Sequence, residues 1–283
     1  MALTINTNLG SLIVQKNLDS ATKSLNQAIE RMTTGYKINS ARDDAAGYAV
    51  ATKMETTLGS ISVAQDNAAI GSSMLSTLES NYDLLTTHYQ RIRDLTEEAA
   101  NGTYGSDSID AIKAEVTARM AEINRIAASA EFNGVKIMNG SKTGGVVLQI
   151  GVDSSDNSKL TLSADLFANA NSATLTEVAD ATLQGYYTAG GTNYGTALTA
   201  IDKALTKITT RQTNIGALQN RLDSASDALE VQYSNVTSSL STIKDADVAA
   251  ESSAYIKAQI LQQASASLLA TANQTPSIAL NLR

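Results

Sequence analysis

Residues 54–99, METTLGSISVAQDNAAIGSSMLSTLESNYDLLTTHYQRIRDLTEEA, decide the fold. After Ile61 the apolar or small residues fall three and four apart, at Ala64, Ala68, Gly71, Leu75, Leu78, Tyr82, Leu85, Tyr89 and Ile92, which is the seam of a coiled coil. Polar residues fill the gaps and no proline interrupts the run. One helix of about 55 residues would be roughly 80 Å long, longer than a single compact core needs. A second heptad run from Leu198 through Ile201, Ile208, Ile215, Leu222 and Leu229 to Ile243 can close that seam. The chain is therefore expected to leave along a rod and return along it.

Composition sets outer limits. The chain has 283 residues, 43% hydrophobic but only 4% aromatic and 17% charged; this disfavours a large globular core and suits long helices meeting at Ala-rich seams. A net charge of -7 argues against nucleic acid, whose phosphates call for a basic patch, and against an acidic substrate. Cysteine is absent, which excludes disulfides, thiolate catalysis and zinc-thiolate sites. The single histidine, His88, stands on a helix rich in Ser and Thr and reads as a solvated or interface side chain. No apolar stretch approaches the length of a membrane span. Residues 1–10 lack the basic and apolar regions of a cleaved signal peptide, so export would follow a route that removes nothing.

Ahead of the long helix, Val14, Leu18, Ala21, Leu25, Ala28 and Met32 predict a first amphipathic helix ending at Gly35. Ser40-Ala41-Arg42-Asp43 has capping-box spacing, and Asp43 and Asp44 would face the positive end of the helix that follows. As a metal site this acidic pair lacks a third ligand within helical reach. Beyond it, Asn101-Gly102 reads as a C-cap, and Ser106 or Asp107 as the cap of a helix carrying Ile109, Ile112, Val116, Met120, Ile123 and Ile126 that folds back on its predecessor.

From Phe132-Asn133-Gly134 the period changes to two. Val146, Leu148, Ile150 and Val152, then Leu160 and Leu162, flank the turn-forming residues 153–157 and predict a small β-hairpin. A lone hairpin is marginal in water, so its apolar face should rest on the helices. Between 164 and 196 the pattern weakens, and Tyr186-Tyr187 and Gly190-Gly191 mark a loop where the chain turns round. These glycines have neither the strand nor the spacing of a phosphate-binding loop.

The last segment places Ala258, Leu261, Ser265, Leu268 and Ala272 on one face, with Pro276 expected to end its helix. It mirrors the first helix. Each end is too weakly apolar to be stable alone, so both are expected to order only against neighbours, which points to assembly.

Several stretches then identify a relationship: MALTINTNLGSL (1–12), RMTTGYKINSARDDAAGYAVA (31–51), QRIRDL (90–95), EFNGVKIM (131–138), GALQNRLDSA (216–225) and IKDADVAAESSAYIKAQILQQASASLLATANQ (243–274). In these the chain resembles bacterial flagellin, over most of its length. It departs in the middle, where many family members carry large outer domains, and so is similar to a core-only flagellin.

The resemblance implies a mainly α fold, a long antiparallel coiled-coil helical rod with a small β-hairpin and paired terminal helices. It implies residues 1–42 as the N-terminal half of an inner core, 43–165 as outer-core rod and hairpin, 166–196 as a short variable outer region, 197–243 as return helix and 244–283 as the C-terminal half of the inner core. It further implies a self-assembling helical filament for motility, no enzymatic activity and no cofactor. Export would be unfolded, by the flagellar type III route, with an export chaperone and a cap protein as partners. Assembly contacts would come from Leu3, Ile5, Leu9, Leu18, Leu25, Ile260, Leu261, Leu268 and Leu269. Responsive members also bind a vertebrate Toll-like receptor. That contact maps onto Arg91, Leu95 and Glu115, with Gln90 and Arg119 nearby, and with Asp94 where the motif more often has Glu. Arg91 and Glu115 can equally form a surface or subunit-contact salt bridge.

Three other readings compete: a hook-filament junction protein with similar termini, a secreted monomeric adhesin or immune ligand, and a hydrolase. The hydrolase lacks a carboxylate pair that converges, since Asp43/Asp44 and Glu97/Glu98 are adjacent on helices and diverge.

Overall fold

The computed structural model describes residues 8–188 and 193–281. The chain divides into two compact units, residues 1–58 with 234–283, and residues 59–233. Leu3, Ile5, Gly190 and Gly191 lie outside the described residues.

In the unit that holds the chain ends, α1 (Leu9–Thr34) runs antiparallel to α7 (Val248–Asn281). The direction follows from their cross-links: Asn8 to Ala272, Gln262 to Thr22, and Arg31 to Glu251. Small residues, Ala21 and Ala28 against Ala258 and Ser265, are the buried ones. Leu261 and Leu268, which the sequence spacing placed on this seam, instead stay exposed. Gly35 closes α1 in the left-handed region at φ 75°, its N–H donating to the Arg31 carbonyl. The next residues pair with the segment before α7: Tyr36 bridges Asp245, Lys37 N–H donates to the Lys244 carbonyl, and Ala246 N–H donates to the Gly35 carbonyl.

Helix α2 (Ala45–Ala99) begins in this unit. Asp44 is its cap, with Oδ1 accepting from the N–H groups of Ala46 and Gly47. Residues 40–43 form a turn in front of the helix that keeps one half of the expected capping box: the Asp43 N–H donates to the Ser40 carbonyl and not to its hydroxyl, but the Asp43 carboxylate accepts from the N–H groups of Ser40 and Asn39. Those bonds favour the ionised form and hold the Asp43 carboxyl below its usual pKa. At the other end of the chain, α7 passes Pro276 and stays helical to Asn281, correcting the expected stop.

The second unit carries the main core. Along α2, Ile61, Leu75, Leu78, Tyr82, Leu85, Tyr89 and Ile92 are fully buried. Helix α6 (Tyr194–Lys244) returns antiparallel, as the pairs Arg93–Asp202, Gln212–Asp83 and Gln219–Glu79 require. Its buried line includes Ile201, Ile208, Ile215, Leu222 and Leu229 as expected, and also Arg211. On the outer surface of both helices, threonine and serine hydroxyls donate to the carbonyl four residues back, among them Ser73, Thr77, Thr206, Thr209 and Thr213.

Helix α3 (Ser106–Ser129) buries Ile109, Ile112, Val116, Met120, Ile123 and Ile126. Its ends differ from expectation. Gly105 precedes it with no side-chain cap, and Gly102 lacks the left-handed φ of a C-cap glycine. Instead Asn101 accepts from the Thr103 N–H at 3.3 Å, an Asx turn in place of a glycine cap. After α3, β1 (Glu131–Phe132) and β2 (Val135–Lys136) form a hairpin around Asn133 and Gly134, both at positive φ as a two-residue type I′ turn demands.

The expected hairpin is β3 (Val146–Gln149) against β4 (Lys159–Leu162), in register Val146↔Leu162 to Gln149↔Lys159. Leu160 and Leu162 are buried, and Leu148 packs over Gly71 of α2 in the space a Cβ there would occupy. Asn67 Nδ2 also donates to the Gln149 carbonyl, so the hairpin rests on α2.

Residues 164–188 of the weakly patterned stretch that follows are ordered. A 3-10 turn (Ala164–Phe167), α4 (Ser172–Thr176) and α5 (Asp180–Gly185) bury Leu166, Phe167, Leu175, Leu183 and Tyr187. Polar groups fix it in place: Asn124 joins Asp180 and Ser172, and Tyr82 Oη donates to the Leu166 carbonyl.

Candidate functional site

Two surfaces collect the residues that the sequence singled out. On the α1/α7 pair, Leu18, Leu25 and Leu269 are half-buried along the seam, whereas Leu9, Ile260, Leu261 and Leu268 remain exposed. Leu12, Ile13, Ile29 and Met32 on α1, and Val248 and Ile256 on α7, are exposed as well. Sequence reading had placed Met32 on the apolar face of α1 and missed the others. Their signal was present in the three- and four-residue steps 9–12–13 and 256–260, but it was absorbed into one face per helix. Ser253, Ile256, Lys257, Ile260 and Leu261 together line a shallow, open groove along α7. Pairing α1 with α7 therefore buries the small residues fully, half-buries Leu18, Leu25 and Leu269, and leaves the other large aliphatic residues named here facing outward.

The second surface lies where α2 and α3 run side by side. Arg91 Nε donates to Glu115 Oε1 at 3.1 Å, and Arg119 joins the same carboxylate at 2.9 Å from one turn along α3. These two guanidinium groups hold the Glu115 carboxyl below its usual pKa, chiefly through their hydrogen bonds. Gln90 is exposed beside them. Leu95 is not part of this surface: only 2% of it is accessible, because it continues the buried line that runs through Tyr89 and Ile92. The expectation that Arg91 and Leu95 form one reachable pair is thus corrected, since α2 turns Arg91 to the surface and Leu95 into the core.

Among the described residues no group of three His, Cys, Asp or Glu side chains is placed to hold a metal ion. His88 is half-buried, with Nδ1 lacking a hydrogen-bond partner. Among the described residues no helix is long and apolar enough to cross a membrane.

The family model for the bacterial flagellin N-terminal helical region matches residues 5–143, and that for the C-terminal helical region matches residues 198–282. The unmatched stretch between them holds β3, β4, α4 and α5. Flagellin B of Vibrio anguillarum is 32% identical over 377 aligned positions that cover both chains completely. The flagellin of Listeria monocytogenes is 32% identical over 277 positions, 96% of each chain. A solved structure described as a flagellar hook-associated protein from Vibrio parahaemolyticus superposes with a TM-score of 0.60 over 72% of this chain and all of its own, at 17% identity, and so shares the fold. On the family models and the full-length relatives, the chain belongs to the bacterial flagellins, structural proteins of the flagellar filament and not enzymes.

Proposed function

We propose that this chain polymerises into a flagellar filament through the outward aliphatic faces of α1 and α7. The observation that carries the reading is that pairing these helices leaves Leu9, Leu12, Ile13, Ile256, Ile260, Leu261 and Leu268 exposed. Burying one such side chain against a neighbour is worth about 1.5–3 kcal/mol, and a helical polymer repeats that gain at every subunit. Residues 1–42 and 244–283 would form the inner core, the helices between them the outer core, and residues 166–196 the outward region. Export would proceed unfolded through the flagellar type III route, with a chaperone and a cap protein as partners; the absence of cysteine suits passage of an unfolded chain.

Electron microscopy of protein refolded on short seeds tests the assembly reading. Long filaments are expected from the parent chain and none from proteins lacking residues 1–40 or 245–283, while circular dichroism of those truncated chains retains the helices of residues 59–233. Filaments of normal length from either truncation would overturn it.

The Arg91–Glu115–Arg119 surface supports a second role, as a ligand of the vertebrate flagellin-sensing Toll-like receptor, with Gln90 at its edge and Leu95 supporting it from beneath. Arg91→Ala should lower binding of the monomer to the receptor ectodomain, by about 1–3 kcal/mol if it is an interface hot spot. Unchanged binding would remove this reading and leave the filament untouched.

A further inference from the structure

Three Asn-Gly pairs occur in the chain: Asn101-Gly102, Asn133-Gly134 and Asn139-Gly140. In such a pair the glycine nitrogen can attack the asparagine side-chain amide, because no Cβ on the glycine obstructs the approach. All three asparagines are exposed, yet the fold treats them differently.

Asn139 is protected twice over. The Gly140 N–H donates to the Phe167 carbonyl at 3.0 Å, and the Asn139 Oδ1 is held by the Ser141 N–H at 3.0 Å. Gly140 is also crowded, since a Cβ there would stand 3.2 Å from the Asn169 nitrogen. Asn133 sits in the type I′ turn between β1 and β2, at φ 48°, with paired residues on both sides and buried Ile137 immediately beyond. Attack there requires the turn to open, and no hydrogen bond polarises its side-chain amide.

Asn101 is placed otherwise. Its Oδ1 accepts from both the N–H and the Oγ of Thr103, at 3.3 and 3.1 Å. Two donors on that oxygen draw charge from Cγ and would stabilise the oxyanion that forms when Cγ is attacked. The Gly102 N–H makes no hydrogen bond among the described groups, and nothing lies within 4 Å of where a Cβ on Gly102 would stand. Nucleophile and polarised carbon belong to neighbouring residues, so their encounter is intramolecular.

We propose that Asn101 is a modification site that converts spontaneously to aspartate and isoaspartate. The Gly102 nitrogen loses its proton to solvent base and bonds to Asn101 Cγ, with the carbonyl electron pair moving to Oδ1. The tetrahedral centre collapses by breaking Cγ–Nδ2, and the nitrogen takes up a proton and leaves as ammonia. Water then opens the cyclic imide at either carbonyl, giving aspartate or, with the backbone routed through the side chain, isoaspartate. No oxidant or reductant is needed. The product adds a carboxylate just beyond the last turn of α2, beside Glu97 and Glu98, where the negative end of the helix disfavours it; the modification should therefore loosen the α2–α3 connection.

The test is to hold the full-length protein at mildly alkaline pH and map peptides by mass spectrometry over time, folded and in denaturant. In the folded protein Asn101 should react first, Asn133 more slowly and Asn139 slowest, and denaturant should bring the three rates together. Thr103→Val, which removes the Oγ donor from an exposed loop, should slow Asn101 about 2- to 10-fold, the range that one hydrogen bond is worth. Faster reaction at Asn133 or Asn139 in the folded protein, an unchanged ranking in denaturant, or a Thr103→Val rate equal to the parent's would each overturn the proposal.

Discussion

Asn8 Nδ2 donates to the Ala272 carbonyl at 2.7 Å, the very carbonyl that would pair with the N–H of residue 276 were that residue not proline. The other half of the same amide, Oδ1, accepts from the Ser11 N–H at 3.0 Å and caps α1. One side chain thus starts the first helix and fills the gap in the last.

Asn8→Ala should remove both bonds, lowering stability of the α1/α7 pair by about 1–2 kcal/mol. Asn8→Ser should restore the cap but not the link to Ala272, and recover about half. Hydrogen exchange of the α1 and α7 amides reads both effects, and equal protection in Asn8→Ala and parent would refute the dual role.

Arg211 is 5% exposed, with Nη1 donating to Tyr82 Oη at 3.2 Å, the guanidinium over the Tyr82 ring, and Asp165 at 3.7 Å. Arg211→Ala removes packing as well as charge, and should destabilise by about 2–3 kcal/mol in urea unfolding. Arg211→Met, which refills the volume, should lose less. Burial raises the Tyr82 pKa while the Arg211 charge opposes the rise, so the Tyr82 ionisation, followed by ultraviolet absorbance, should move higher in Arg211→Met.

The folded-state pKa of Glu115 lies below the ordinary 4.5. Its ion pairs therefore contribute stability fully above that value and lose it as pH falls through the lower, folded value. Because the group is near the surface, the contribution is small and screened by salt. Arg91→Ala should bring the Glu115 carboxyl back toward 4.5 without reaching it, since Arg119 still pairs with it. A carboxyl NMR titration checks this, and an unmoved titration curve would rule out Arg91 as the main cause.

Tyr187 is buried, its hydroxyl 2.5 Å from Thr96 Oγ and its ring edge-on to Tyr194 at 6.2 Å between centroids. Tyr187→Ala should cost about 3–5 kcal/mol, as for other large aromatic truncations. Tyr187→Phe should lose only about 1 kcal/mol. Thermal unfolding distinguishes them. A near-neutral Tyr187→Ala would return Tyr187 to the plain turn-round loop that the sequence pattern suggests.

The long helices were legible because their seams repeat over many turns: Leu75, Leu78, Tyr82, Leu85 and Tyr89 admit one face only. The β3–β4 hairpin was legible from alternation around the polar turn. Residues 164–187 were not, since two helices of five and six residues are too short to show a period, and their order comes from side chains on α2 and α3. Arg211 was missed because a charged residue reads as surface until a tyrosine and a carboxylate are seen around it. Leu95 was misplaced for the opposite reason: i, i+4 spacing put it beside Arg91, but the edge of the core runs between them. On α1 and α7 the small residues chose the seam, which spacing alone cannot decide when apolar positions are available on two faces.

The α1/α7 seam also fixes an order of events in time. Asn8 and Ala272 are 264 residues apart in the chain, so the seam closes the largest loop among the described residues, whereas the contacts of residues 59–233 close smaller ones. Loop-closure entropy rises with length, and long-range pairings form slowly. A chain delivered end first can fold its interior while one terminal helix is still in transit, but it cannot join its two ends until nearly the last residue has arrived.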